Sequence, residues 1–177
     1  AYIGISDPQT ISKSGASFKN SDGSAAYSFA DGSGGKKLYE AVQNAIDEAK
    51  AAGADYIVAI GHLSTTGDAA YTPKSVIENT TGIQAFIDGN TDTAIVGEKV
   101  KGADGAEALL TCAGAGLNNI GVLTITAGKS ISSQLVNSYR LRDIKTKDGI
   151  DALTKKYKQN LQESFATTSS RLEAANN

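Results

Sequence analysis

The spacing of apolar positions changes several times along the chain, and each change marks an element. Tyr2-Ile-Gly-Ile5 is a short β-branched and aromatic run closed by Asp7-Pro8, which predicts a strand. Residues 13–35 are polar and rich in glycine, with Ser-Asp-Gly-Ser at 21–24 and Asp-Gly-Ser-Gly-Gly at 31–35. They predict loop, with a short strand near Tyr27 and Phe29. From Lys36 the period becomes helical. Leu38, Val42, Ala45, Ile46 and Ala49 share one stripe, Lys37, Glu40, Asp47 and Lys50 lie off it, and Gly53 stops the helix. Tyr56 to Ile60 is then continuously apolar and of strand length, the signature of a strand buried on both faces. Strand, helix and strand in succession make the unit of an α/β layer.

Beyond His62 a polar loop leads to Thr72-Pro73, an N-cap and first helical position for a brief helix through Val76 and Ile77 that Thr80-Thr81-Gly82 ends. Ala85-Phe86-Ile87 is a second buried strand, running on to Asp88. Glu98–Lys101 and Ala108–Thr111 flank Gly102-Ala-Asp-Gly105 and predict a hairpin; Ile120–Thr126 and Ile131–Val136 flank Ala127-Gly128 and predict another. From about Asp148, Ile150, Leu153, Tyr157, Leu161 and Phe165 follow helical spacing on one stripe. The organisation predicted is an α/β domain over 1–146 and an amphipathic helix over 147–177.

Composition narrows the function classes. A chain of 177 residues, 40% hydrophobic, suits one domain with a real core. A formal net charge of −2 leaves no basic stripe, so binding to nucleic acid or to an anionic membrane has no electrostatic support. No apolar run approaches the roughly 18 residues of a membrane span. Cys112 is the single cysteine, so no disulfide forms within the chain, and its apolar setting predicts a buried, inert thiol. There is no methionine, and the first residues already read as a strand, so the sequence is expected to be a piece of something longer.

The candidate chemistry sits where predicted strands end. In parallel α/β sheets the loops at the carboxyl ends converge on a crevice. His62, Asp88, Asn90 and Asp92 all fall at such ends. Gly128-Lys129-Ser130 looks like the tail of a phosphate-binding loop, but position 123 is Leu rather than the glycine that motif needs, and a hairpin turn accounts for it. Gly114-Ala-Gly116 is too short to signal a dinucleotide. His62, the one histidine, is either a metal ligand or a structural hydrogen bonder, and Asp88-Gly-Asn-Thr-Asp92 is either a set of oxygen ligands or a turn.

Those same residues carry a resemblance. Gly53-Ala-Asp-Tyr-Ile-Val-Ala-Ile-Gly-His62-Leu, followed by Val76-Ile-Glu-Asn-Thr-Thr-Gly-Ile-Gln-Ala-Phe-Ile-Asp-Gly89, resembles the 5′-nucleotidase and 2′,3′-cyclic-nucleotide phosphodiesterase branch of the calcineurin-like metallophosphoesterases. It continues through Leu109-Leu-Thr-Cys-Ala-Gly-Ala-Gly-Leu117 and Ile120-Gly-Val-Leu-Thr-Ile125 and reaches about residue 136. The resemblance implies the C-terminal half of a four-layer α/β/β/α sandwich, with the terminal helix similar to the linker that precedes a separate substrate domain. It implies two divalent metal ions, Zn or Mn, a nucleotide substrate and an extracellular or cell-surface location. At the family's metal positions it places His62, Asn90 and Asp92. The family has Asp-Gly-His-Ser-His at the second strand end, so Asn90 and Asp92 stand in place of two imidazoles, which suit transition metals better than amide or carboxylate. The family's Asp-x-His and Gly-Asn-His-Glu/Asp motifs have no counterpart in this sequence. Two readings follow: a fragment of a metal-dependent nucleotide phosphoesterase, inactive by itself, or a non-catalytic binding or structural module derived from that fold. Either leaves a sheet edge or face uncovered, which predicts self-association or a requirement for the other half of the domain as partner.

Overall fold

The computed structural model describes residues 1–10, 18–30, 32–63, 68–128, 130–141, 155–160 and 162. Ala1–Arg140 makes one compact unit and Leu141–Asn177 a second. The first is a mixed α/β fold. Its strands are β1 (Tyr2–Ser6), β2 (Val58–His62), β3 (Ala85–Asp88), β4 (Ile95–Lys101), β5 (Glu107–Cys112), β6 (Asn119–Thr126) and β7 (Ser130–Asn137), with helices α1 (Lys36–Ala51) and α2 (Pro73–Glu78). Five strands form one sheet in the order β1-β2-β3-β5-β4, parallel except for β4, and β6 and β7 pair as a separate antiparallel hairpin.

The helices form where the spacing predicts them. The stripe of α1 buries Leu38, Val42 and Ile46. Thr72 caps α2, its hydroxyl accepting the Ser75 N–H at 3.1 Å, with Pro73 at the first helical position. Both helices pack on one face of the five-stranded sheet. There Leu38, Val42, Ile46, Val76 and Ile77 meet Ile5, Ala59, Phe86 and Leu110 in a single core. Burial of this many aliphatic and aromatic side chains is the main stabilising term for the unit.

On the other face the hairpin stands over β4 and β5, tied to them by the Thr111 and Ser133 hydroxyls at 2.7 Å. The Gly128 N–H at its turn donates to the Tyr56 hydroxyl at 2.8 Å. Gly128 has φ 68°, the left-handed conformation that a tight turn assigns to glycine. Lys129 lies outside the described residues.

Two expectations need correction. The ladder of β2 begins at Val58 rather than Tyr56 and runs on through His62; Val58 and Ala59, on opposite faces, are buried as expected, but Ile60 is 46% exposed, so the double burial stops short of the strand's carboxyl end. The hairpin stands over β4 and β5, so Ile60, nearer the other edge of the sheet, stays partly open. Tyr56 and Ile57 stay outside the ladder because Ile57 is held by Gln84, its N–H donating to Oε1 at 2.6 Å and its carbonyl accepting from the Gln84 N–H at 3.0 Å. Second, no strand forms near Tyr27 and Phe29. That segment holds one isolated bridge, Lys19 to Ala25, closing a turn in which Asp22 accepts from the Ser24 N–H and hydroxyl. Phe18 packs edge-on against Tyr27 and Phe29, so the aromatics cluster locally instead of entering a sheet.

In the second unit residues 155–160 and 162 are helical, within the helix predicted from Asp148, and Tyr157 is exposed. Ile150, Leu153, Leu161 and Phe165 lie outside the described residues.

Candidate functional site at the carboxyl ends of the strands

The parallel strands β1, β2, β3 and β5 all end on the same side, at Ser6, His62, Asp88 and Cys112. The register sets which side chains share a face. Ile5, Gly61 and Asp88 lie in one row, and Ser6 pairs with His62 in the next. Because successive side chains alternate across a strand, Asp88 belongs to the helix-covered face and His62 to the opposite one.

Asp88 is 3% exposed and fully engaged. Its Oδ1 accepts the Leu63 N–H at 2.9 Å and its Oδ2 accepts the Thr91 hydroxyl at 2.7 Å. The Gly89 N–H adds a bond to the Gly61 carbonyl at 3.0 Å. Gly61 makes this geometry possible, since a Cβ there would lie 2.5 Å from the Phe86 ring and 3.4 Å from the Asp88 carboxylate. The loop after Asp88 is then anchored on its other side. The Cys112 thiol donates to the Thr91 carbonyl at 3.2 Å, and the Ala115 N–H donates to the Asp92 carbonyl at 3.2 Å. Cys112 is buried, as its apolar setting predicts.

His62 stands exposed as the last residue of β2; Asn90 is half-buried and Asp92 exposed in the loop that the Asp88 bonds hold beside it. The three occupy neighbouring connections at one edge of the sheet. No hydrogen bond or ion pair links their side chains to one another among the described residues. Nor does any group of three or more His, Cys, Asp or Glu among those residues gather closely enough to share a metal. A dinuclear centre needs several imidazoles and carboxylates around two ions. One imidazole, one amide and one exposed carboxylate do not fit it.

Two features of this edge are missed by the pattern of the sequence. Asp7, which reads as a strand stop, is buried, and its Oδ1 accepts the Gln9 N–H at 2.9 Å just beyond β1. Thr91, inside a string that reads as ligands or turn, is the buried partner of Asp88. The three-residue spacing from Asp88 to Thr91 is the signal available for that bond, since Asp side chains commonly close such turns.

No family model matches the chain, and no curated protein matches it significantly. Among solved structures, a 5′-nucleotidase precursor from Thermus thermophilus is similar at 21% identity with a TM-score of 0.45, over 56% of this chain and 22% of that one. The chain thus spans less than a quarter of the length of that protein.

Proposed function

We propose that this chain is a segment of a metal-dependent phosphoester hydrolase of the nucleotide-cleaving type, one that supplies a wall of the crevice and does not turn substrate over by itself. The reading rests on the quoted strand-end motifs and on the α/β order that brings their ends to one edge. In it the chain belongs to a four-layer sandwich, works outside the cell or at its surface, and receives most of its metal donors from elsewhere. Among the described residues no helix is long and apolar enough to cross a membrane.

What supports the inactivity is the donor set at the strand ends, one imidazole, one amide and one exposed carboxylate at the three family metal positions His62, Asn90 and Asp92. Asp88, at the head of the motif and outside the family's metal positions, accepts from Leu63 and Thr91 and clamps the loop that carries Asn90 and Asp92. His62 is left as the one imidazole, on the opposite face. A partner that brings further donors has a place to dock. The outer edge of β1 is unpaired among the described residues, and beside it Tyr2 is 75% exposed. Open edges of this kind recruit strands.

A second reading, a binding or structural module that has lost the chemistry, draws on Asn90 and Asp92 standing where imidazoles belong. Both readings predict that the purified chain, given Mn or Zn, leaves AMP and bis-p-nitrophenyl phosphate intact. Turnover that a chelator abolishes and Mn restores would overturn both. Recovery of that turnover on adding an N-terminal half that carries the missing metal motifs separates the first from the second.

A further inference from the structure

A concavity of the first unit lies away from the strand ends that carry His62 and Asp88. At the opposite, amino-terminal end of the sheet a cleft of about 520 Å³ opens between the sheet and the turn of the β6–β7 hairpin. Tyr56, Gln84, Lys99, Glu107, Leu109 and Ile131 face it. Its volume lies within the range of roughly 300–1,000 Å³ typical of small-molecule sites. We propose that this cleft binds a small zwitterion with an apolar body, the chemical class of an apolar α-amino acid.

The lining presents a definite set of donors and acceptors. The Tyr56 hydroxyl accepts from the Gly128 N–H, which fixes the roof of the cleft and leaves the hydroxyl proton to donate. Gln84 Oε1 accepts from the Ile57 N–H, which fixes the amide and leaves the protons on its Nε2 to donate. Lys99 and Glu107 meet at 2.8 Å as a cross-strand ion pair, their side chains 69% and 50% exposed. An exposed pair of this kind is weak and opens at little cost. Opened, it offers, among the described residues of the lining, one cation and one anion beside the neutral side chains of Tyr56, Gln84 and Ser130. A carboxylate takes the Lys99 ammonium with Tyr56 and Gln84; an ammonium takes Glu107; Leu109 and Ile131 supply an apolar wall for the body. Each simpler ligand leaves part of this unused. A dianion meets the Glu107 carboxylate, a plain cation meets Lys99, and a neutral apolar molecule leaves the donors without an acceptor.

The test uses the whole chain and L-leucine as probe, followed by two-dimensional amide NMR. Isocaproate, which lacks the ammonium, and isoamylamine, which lacks the carboxylate, are titrated alongside. The expected result is saturable shifts confined to residues 56, 84, 99, 107–109, 128 and 130–131. Each analogue should bind about fivefold more weakly than leucine, the scale of one exposed charge contact. Lys99→Gln should bring leucine down to the level of isoamylamine, and Glu107→Gln to that of isocaproate. Absence of saturable shifts, shifts centred elsewhere, or equal affinity for all three probes overturns the proposal. The comparison of the three probes on the unsubstituted chain decides the matter even where a variant fails to fold.

Discussion

The two faces of the five-stranded sheet are made from the same strands and have opposite fates. On the helix side, Ile5, Ala59, Phe86, Leu110 and Cys112 run from 0% to 5% exposed. On the other side Val58, Ala85 and, under the hairpin, Thr111 are buried, while Tyr2, Gly4, Ser6, Ile60 and His62 over β1 and β2 remain exposed. One face is closed by α1 and α2. The other is closed over only part of its width. On the helix side the core is closed by this unit's own helices, and His62, the residue most suggestive of chemistry, belongs to the side that the hairpin closes only in part.

The largest test of that contrast is a pair of truncations in adjacent strands. Phe86→Ala removes a ring that is 0% exposed, and large-to-small changes of this type cost about 3–5 kcal/mol. Ile60→Ala removes a side chain 46% exposed, and the expected loss is below about 1 kcal/mol. Urea unfolding of the two variants measures both. Equal losses would mean that a further surface covers Ile60 in solution, and concentration-dependent unfolding of the parent chain would then identify that surface as a second copy.

Asp88 sets an intermediate effect, because it belongs to the closed face yet lies at the site. Asp88→Ala leaves the buried Leu63 N–H and Thr91 hydroxyl without their acceptor, and such orphaned groups cost about 1–3 kcal/mol. Asp88→Asn keeps one oxygen for Leu63 and offers an N–H to the Thr91 hydroxyl, so it should retain most of the stability. Denaturation of the two variants ranks them. If Asp88→Ala is as stable as the parent, the carboxylate is not a clamp and the assignment of a ligand role to it reopens.

The contrast also explains what is legible in the sequence. Helix stripes, hairpin turns and the Thr72-Pro73 cap are local, and each appears where its spacing puts it. The run Tyr56–Ile60 reads as doubly buried because an apolar run reports composition and not what stands above it. Ile60 is apolar and exposed because the hairpin stands over β4 and β5 and leaves the face over the carboxyl end of β2 open. The strand expected near Tyr27 fails for a related reason, since aromatic residues can satisfy one another without a ladder. At the site, the carboxyl-end positions of His62 and Asp88 follow from the parallel order. Their separation onto opposite faces does not, because it depends on the register that pairs Gly61 with Asp88. The amino-end cleft is invisible in the sequence, as Tyr56, Gln84, Lys99 and Glu107 come together only through strand pairing across the sheet.

The smallest expected effect concerns the Lys99–Glu107 pair, which lies on the same face as Ile60 and His62. The Lys99 ammonium, through its hydrogen bond and then its charge, holds the Glu107 carboxyl below its ordinary value, and Glu107 raises Lys99 in the same order of causes. The sign follows from linkage. A carboxyl lowered on folding contributes stability above its unfolded value and loses it as pH falls through the folded one; an ammonium raised on folding contributes below its unfolded value and loses it as pH rises through the folded one. The pair therefore contributes between an acid and an alkaline limit, and being exposed it contributes little. The measurement is the NMR titration of the Glu107 side-chain carboxyl at acid pH, in the parent chain and in Lys99→Gln. The midpoint should move upward in the variant, and added salt should move the parent's midpoint the same way by screening the charge. An unchanged midpoint in Lys99→Gln would mean that the two side chains do not pair in solution, and that the cleft beside them presents its cation and anion separately.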